Sequence, residues 1–471
     1  MPPRTGHTPY IEPGEASHTN PDHTDALRRI ASVINWYVRA GRKGPNEPIV
    51  RRRRSGNLAR VTQGNLPLRA KVATQVSRTA AALSRAAGRG DGSVIGGWIG
   101  LKIDPDLLEH LAAGRAIALV SGTNGKTTTT RLTAAALGVL GPVATNSFGA
   151  NMPSGHTSAL AKAGSTPYAV LEVDEHYLPQ VIEETRPRVI ALLNLSRDQL
   201  DRAKEVAMIA QLWRTTLAKH PEIMIVANSD DPMIVWAAGN SPTVTWFSAG
   251  QRWQDDSWVC PECGSTIERQ DGQWWCTGCP LRRPQPQWVV EDDGVLDPSG
   301  AWHLVRLQLP GRVNLGNAAT ALAVAAAFGI RPLQAVPTLS SVASVAGRYA
   351  QVDRDGRNIR LLLAKNPASW LEAFDMADNA PTLLSINSRD PDGLDTSWLF
   401  DVDFSPLRGR QILITGERAY DLAVRLEVND VPFRHVQTFG EAIASVPPGR
   451  LEVIANYTAF QDIRAELDRV N

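Results

Sequence analysis

Residues 116–127 read Ala-Ile-Ala-Leu-Val-Ser-Gly-Thr-Asn-Gly-Lys-Thr: an apolar run, a glycine turn and the start of a helical stretch. No other feature constrains the chain as much. A buried strand feeding a glycine turn and then a helix is one unit of a parallel sheet, which needs further strands beside it and helices on its faces. The turn also has chemistry. Gly122 and Gly125 let the amides of Thr123, Asn124 and their neighbours curl round an anion, and the helix N-terminus adds its positive end. Lys126 offers a point charge to outer phosphates, and the hydroxyl of Thr127, followed by Thr128, suits Mg²⁺. Val120 stands where the longer phosphate loop has glycine, so this is the shorter Gly-Thr-x-Gly-Lys-Thr form. The strand before it and the helix after it favour nucleotide binding over an ordinary tight turn.

The rest of the chain meets the demand for more strands. Ala169–Val173, Val189–Leu195, Ile223–Ala227 and Thr243–Phe247 are apolar runs separated by amphipathic stretches. Unbroken apolar runs of that length belong in a mostly parallel sheet covered on both faces. Leu68–Ala87, Asp104–Ala113 and the Ala-rich Asn314–Gly329 read as helices. After Gly347-Arg348 the alternation restarts with Ile359–Ala364, Thr382–Ile386, Gln411–Thr415 and Leu451–Ala455, a smaller Rossmann-like α/β domain. The expected organisation is a basic, disordered extension over 1–66 that includes Arg51–Arg54, an α/β nucleotide-binding domain over 67–345, and a C-terminal α/β domain over 346–471.

All four cysteines fall in one window, as Cys260-Pro-Glu-Cys263 and Cys276-Thr-Gly-Cys279. Two such knuckles present four thiolates to one tetrahedral zinc, and four thiolates close the coordination sphere, so the metal is expected to hold an inserted ribbon (about 252–288) and do no chemistry. Glu262, Glu268 and Asp271 deny the ribbon a basic face. Lys and Arg number 49 against 48 Asp and Glu, for a net charge of +1, which argues against a protein that coats nucleic acid or anionic membrane. No apolar run is long enough to span a bilayer, so a cytoplasmic location is expected.

The loop does not stand alone. Thr145-Asn146 with Gly149-Ala150-Asn151, Glu172-Val-Asp174-Glu175, Asn194 with Arg197-Asp198-Gln199-Leu200-Asp201, Asn228-Ser-Asp230, and Gly311 through Asn314 to Asn317 follow in order. In order and spacing they resemble the ATP-binding central domain of the Mur ligases, and Gly347-Arg348 and Ala364-Lys365-Asn366-Pro367 resemble the start of their C-terminal domain. The departures narrow the likeness. Gln199 stands where these ligases usually carry His, and Leu362 and Lys365 stand where they have an acid and a His. The stretch before the phosphate loop is too short, and too poor in sheet pattern, for their UDP-binding first domain, and a Cys₄ ribbon is foreign to the amino-acid-adding members. Together with Asp392-Gly393-Leu-Asp395 these departures are similar to the Mur-ligase-like subunits of lipid II isoglutaminyl synthases.

That resemblance implies ATP and Mg²⁺ as cofactors. It also implies ATP-dependent amidation of the D-glutamate α-carboxylate of the lipid II stem peptide through an acyl phosphate. The ammonia would come from a partner glutamine amidotransferase subunit, GatD, and lipid II would bring the chain to the inner membrane face without a span of its own. On this reading Lys126 and Glu172 serve the reaction centre, with Thr127 and Glu172 at Mg²⁺, while Asp174 and Glu175 are solvated neighbours. Asn228, Asp230, Asn314 and Asn317 match the adenine and ribose contacts, or else serve as turn and cap residues. Arg348 reads equally as a phosphate clamp or a surface ion-pair partner, and Lys365 as a contact to the acyl phosphate or a solvated lysine. Asp395 would complete the amidotransferase's Cys–His pair across the interface, ahead of Asp401 and Asp403, or else forms an Asx turn. No histidine is assigned a role. Two rivals predict other things. A stand-alone amino-acid ligase needs an acid at position 362, and a zinc-ribbon nucleic-acid NTPase needs a basic ribbon.

Overall fold

A computed structural model describes residues 66–87, 93–146, 149–197, 206–343 and 349–468. The expected basic extension, apart from Leu66, lies outside the described residues, and so does Arg348. Seventeen strands follow in chain order: β1 (Ala116–Ser121), β2 (Val143–Thr145), β3 (Tyr168–Glu172), β4 (Val189–Leu192), β5 (Met224–Asn228), β6 (Val244–Ser248), β7 (Ile267–Gln270), β8 (Gln273–Cys276), β9 (Trp288–Glu291), β10 (Gly294–Leu296), β11 (Trp302–Leu304), β12 (Tyr349–Arg354), β13 (Arg357–Leu363), β14 (Thr382–Ser385), β15 (Ile412–Thr415), β16 (Phe433–His435) and β17 (Gly449–Ala455).

The first sheet has nine strands in the order β11-β10-β9-β6-β5-β4-β1-β3-β2. From β2 to β9 neighbouring strands pair in parallel, and β9, β10 and β11 close one edge as an antiparallel meander. The strands are apolar on both sides because both sides are covered. Leu119, Leu171, Ile190 and Ile225 face one core with Leu108, Val181 and Trp213 from the helices Leu107–Ala112, Leu178–Thr185 and Val206–Leu217. Val120, Val170, Ala191 and Val226 face the other, with Leu132 and the Ala-rich helix Arg312–Ala327. The parallel α/β architecture expected from the sequence is therefore present.

The helix Ser93–Ile103 was not legible in the sequence, since Ser-Val-Ile-Gly-Gly-Trp-Ile-Gly lacks an amphipathic period. Its glycines serve close approach: a Cβ on Gly97 would stand 1.7 Å from the Ser154 carbonyl oxygen of the helix Pro153–Ala163.

The ribbon occupies the β6–β9 crossover. Its β7–β8 hairpin is antiparallel, and Ile267, Trp274, Cys260 and Cys276 pack with Val235 of the helix Pro232–Ala238. Polar ties hold it to the sheet. Trp274 Nε1 donates to the Ser229 carbonyl at 2.9 Å, and Trp236 Nε1 to Glu262 at 2.5 Å.

The second sheet runs β12-β13-β17-β14-β15-β16, parallel except for the β12–β13 hairpin. Helices Pro367–Met376 and Ala419–Val428 cover one face through Trp370, Phe374 and Leu422, and Phe439–Ala444 and Tyr457–Asp468 cover the other through Phe439 and Phe460. Across the buried register pair of β13 and β17, Arg360 makes a bidentate bond to Glu452 at 2.6 and 2.8 Å. Residues 60–471 cluster as one compact unit.

Candidate active site at the phosphate loop

Because β5, β4, β1 and β3 are adjacent and parallel, their C-terminal ends bring Asn228, Asn194, the Gly122–Thr127 turn and Glu172 to one edge of the sheet. Open α/β sheets bind ligands at that edge. The turn is braced from the neighbouring strand end. Thr123 N donates to the Asn194 carbonyl at 2.9 Å, and Asn124 N to Asn194 Oδ1 at 2.8 Å. Asn194 Nδ2 returns a bond to the Asn124 carbonyl at 3.1 Å. Gly125 has φ +82°, and a Cβ there would stand 2.7 Å from Asn317 Oδ1, so glycine is required on both counts. The helix Lys126–Leu137 starts directly after it.

Lys126 is buried. Its ammonium donates to the Gly122 carbonyl at 2.6 Å and meets both oxygens of Glu175, at 3.2 and 3.1 Å. This corrects one expectation: Glu175 is not a solvated neighbour but a buried counter-ion to the loop lysine. Asp174 is half-buried and bonds to His176.

Glu172 ends β3 and is buried. Its Oε2 accepts from the Thr127 hydroxyl at 2.8 Å, and its Oε1 is buried with no hydrogen-bond partner among the described residues. A hydroxyl beside a carboxylate with one orphaned oxygen is a hard-oxygen donor set that fits Mg²⁺. Two residues that the sequence reading left without a role fix this carboxylate. Asn146 clamps the Glu172 peptide, accepting from its N–H and donating to its carbonyl, both at 2.8 Å. His156 Nε2 donates to the same carbonyl at 2.7 Å, and burial pushes the imidazole pKa down to about 4. It is therefore a neutral, fixed donor.

A cleft opens beside the loop. From the first sheet it is lined by Thr123–Thr128, Leu309, Val313, Asn314 and Asn317, and from the second by Tyr349, Leu362, Leu363, Ser369, Glu372 and Met376. Asn317 Oδ1 accepts from Thr129 at 3.0 Å and its Nδ2 donates to Asn314 Oδ1 at 3.1 Å. The second sheet reaches the loop through Asn366, the N-cap of the helix Pro367–Met376, whose Nδ2 donates to Asn124 Oδ1 at 3.2 Å.

Two expected contacts fall elsewhere. Asp230 does not line the cleft. It accepts from Arg283 at 2.8 and 2.9 Å, from Ser248, and from the amides of Ala249 and Gly250. Arg283 lies near the end of the ribbon insert, before β9, so this carboxylate ties the insert to the sheet. Asn228 likewise does turn duty, donating to the Leu193 carbonyl at 2.9 Å and accepting from Asp230 N at 2.9 Å. Lys365 is half-buried at the start of the Asn366 cap. Leu362, where a stand-alone ligase needs an acid, is a buried apolar residue.

The four cysteine sulfurs all lie within 4.8 Å of one another. Cys260 and Cys279 are 3.6 Å apart, and Cys263 and Cys276 3.4 Å, with no disulfide. A tetrahedral ZnS₄ site has sulfurs about 3.8 Å apart, so the thiols fit one such ion.

On the second sheet, Asp395 is exposed. Its Oδ1 accepts from Ser397 N at 2.8 Å, an Asx turn that holds its carboxyl below the usual range. Asp403 makes the same turn with Ser405, and the exposed Asp401 pairs with Arg197 at 3.2 Å.

Comparison with known proteins agrees with this geometry. Residues 120–325 match the family model of the Mur ligase middle domain, and residues 363–460 match that of the MurT ligase C-terminal region. The chain belongs to the Mur ligase family. It is 28% identical over 85% of its length, and 98% of the relative's, to the lipid II isoglutaminyl synthase (glutamine-hydrolyzing) subunit MurT of Staphylococcus aureus. To the MurT of Streptococcus pneumoniae it is 27% identical over 80% and 92%. Among solved structures, a pseudomurein peptide ligase from Methanothermus fervidus superposes with a TM-score of 0.59 at 16% identity, covering 76% of this chain and 79% of that one. MurF of Thermotoga maritima in complex with ADP gives 0.56 at 14%, covering 79% and 85%. This Mur ligase is thus an ATP-dependent enzyme of peptidoglycan synthesis. Among the described residues no helix is long and apolar enough to cross a membrane.

Proposed function

We propose that this Mur ligase is the synthetase subunit of a lipid II isoglutaminyl synthase. An oxygen of the D-glutamate α-carboxylate in the stem peptide attacks the γ-phosphorus of ATP and ADP leaves. Ammonia then adds to the carbonyl carbon of the acyl phosphate, loses a proton and expels phosphate, giving D-isoglutamine. The demand on the protein is to bring a carboxylate up to a polyanion, so positioning and charge neutralisation dominate. Lys126 and the amides of the Gly122–Thr127 turn take the phosphates, while Asn314 and Asn317 line the nucleoside side. Thr127 and Glu172 hold Mg²⁺, which when bound neutralises phosphate charge. Cys260, Cys263, Cys276 and Cys279 hold one structural zinc.

The observation that carries the reading is the second sheet, which matches the MurT-type C-terminal region and bears an unusual surface. Tyr420, Val424 and Val428 form an exposed stripe along one side of the helix Ala419–Val428. Phe400, 69% exposed, stacks under Arg425 of the same helix, and Leu394 lies exposed beside Asp395. An apolar surface bordering an exposed acid suits a protein partner. The partner is a glutamine amidotransferase of the GatD kind, needed because all four cysteines are committed to the ribbon and none is left as a nucleophile. The complex works at the inner membrane face because its substrate is there.

Co-expression with such a subunit and mass spectrometry of the stem peptide test the reading. Asp395→Asn should abolish amidation driven by glutamine and leave amidation driven by ammonium salts intact. Equal loss of both, or of neither, would refute the role of Asp395. No amidation under either condition, with ATP bound and an active partner, would refute the reaction.

A further inference from the structure

The cleft holds an acid to which the proposed reaction gives no task. Glu372 projects from the helix Pro367–Met376, the same helix whose cap bonds to the phosphate loop. Its carboxyl group has no hydrogen bond or ion pair with any described residue, and burial alone pushes its pKa up to about 7. The side chain is nevertheless only half-buried, since it faces the cleft. The cleft it shares with Leu309, Val313, Leu362 and Met376 also carries side-chain donors, among them Asn317, Ser369 and Thr127, yet none of them is hydrogen-bonded to it. The other titratable side chains on the cleft are Lys126, already engaged by Glu175, and Tyr349.

An unpaired carboxylate in such a place costs the fold free energy unless a ligand supplies donors. The triphosphate of ATP offers none, and its charge belongs at the loop amides and Lys126. The donors left are the adenine amine and the ribose hydroxyls. The amine is flanked by ring nitrogens whose lone pairs would repel a carboxylate. The vicinal diol instead presents two O–H groups, on adjacent carbons, to the two oxygens of one carboxylate.

We propose that Glu372 accepts hydrogen bonds from the 2′- and 3′-hydroxyls of the ATP ribose and is the residue that selects ribonucleotides. The assignment rests on ATP binding at the Lys126 loop. It makes ATP a bridge between the sheets, with phosphates on the first and ribose on the second.

The test is calorimetric binding of the magnesium complexes of ATP, 2′-deoxy-ATP and 3′-deoxy-ATP to the full chain and to Glu372→Ala, Glu372→Gln and Lys126→Ala, with folding checked by circular dichroism. The wild type should bind ATP roughly tenfold more tightly than either analogue, the scale of a charged hydrogen bond. Both Glu372 variants should bind all three nucleotides alike, no more tightly than the wild type binds the analogues, each of which keeps one of the two hydroxyls. Neither variant should lose thermal stability without nucleotide, because an unpaired acid has been removed. Wild-type discrimination that survives in both variants, or a wild type that does not discriminate, overturns the assignment. Lys126→Ala separates the two claims, since it should weaken all three nucleotides together. If it does so while ribose selectivity is absent, the nucleotide site stands and the role of Glu372 falls.

Discussion

The cysteine ribbon and the phosphate-loop cleft hang on the same sheet and treat their buried polar groups differently. In and around the ribbon, anchors end on protein partners: Trp274 on Ser229, Trp236 on Glu262, Arg283 on Asp230, with one nitrogen of Arg269 the exception. Four sulfurs converge there and leave no open position. Around the loop the bracing is as dense, yet groups are left over. Glu172 keeps an orphaned oxygen, His156 an unpaired Nδ1, and Glu372 a carboxyl group without a partner. Buried polar groups are normally satisfied, and single atoms are left over elsewhere too, on Ser77, Thr133, Ser241 and Trp370 among others. What sets the cleft apart is that its leftovers are carboxylates beside an anion-binding loop, the groups a metal or ligand donor would complete. The ribbon is finished without substrate and the cleft is not.

Substitutions can break that contrast. The largest effect on catalysis should come from Lys126→Ala, which should lower turnover by roughly two to three orders of magnitude, as loss of an electrostatic stabiliser does, with the metal content of the ribbon unchanged. Cys276→Ser should do the opposite. It should lose zinc, read by elemental analysis, and cost on the order of several kcal/mol of stability, and residual activity should track the folded fraction. If Cys276→Ser stayed folded and metal-loaded but lost turnover, the ribbon would be chemical after all.

Asp230→Asn sharpens the comparison. It leaves the half-buried Arg283 without its counter-ion, so it should destabilise by about 2–3 kcal/mol in denaturant titration, while ATP affinity stays at the wild-type level. A selective loss of ATP affinity would return Asp230 to the nucleotide site.

The smallest expected effect is a pH signature at Glu372. Its folded pKa of about 7 lies above the unfolded value of about 4.3. Ionisation therefore penalises the fold, starting as pH rises past the unfolded value and in full above about 7. Without nucleotide, Glu372→Gln should melt a few degrees above wild type at pH ~8, and the gain should shrink towards zero as pH falls to ~4. A gain independent of pH would mean that the carboxyl group already has a partner.

The sequence announced strands wherever both faces of the sheet are covered, because burial on two sides leaves an unbroken apolar run. It did not announce β12, the β9–β11 meander or β16, which are short or sit at edges, nor the helix Ser93–Ile103, whose glycines trade amphipathicity for close packing. The loop was legible because its chemistry is local. Roles set by distant partners were not. Glu175 looked solvated until Lys126 met it across 49 residues, and Asp230 resembled a nucleotide contact until Arg283 arrived from 53 residues away. Glu372, in a helix rich in Ala and aromatics, carries no local sign that it faces the loop.

The central claim is that the ligase chemistry resides in this chain and in the cleft. The most direct measurement is amidation of lipid II by the purified chain without a partner, given ATP, Mg²⁺ and ammonium salts, with the stem peptide read by mass spectrometry. Replacement of OH by NH₂ at D-glutamate, one ADP formed per amide, and loss of both with Glu172→Gln is the predicted result. ATP bound but never consumed, or ATP consumed with the stem peptide unchanged, would contradict it.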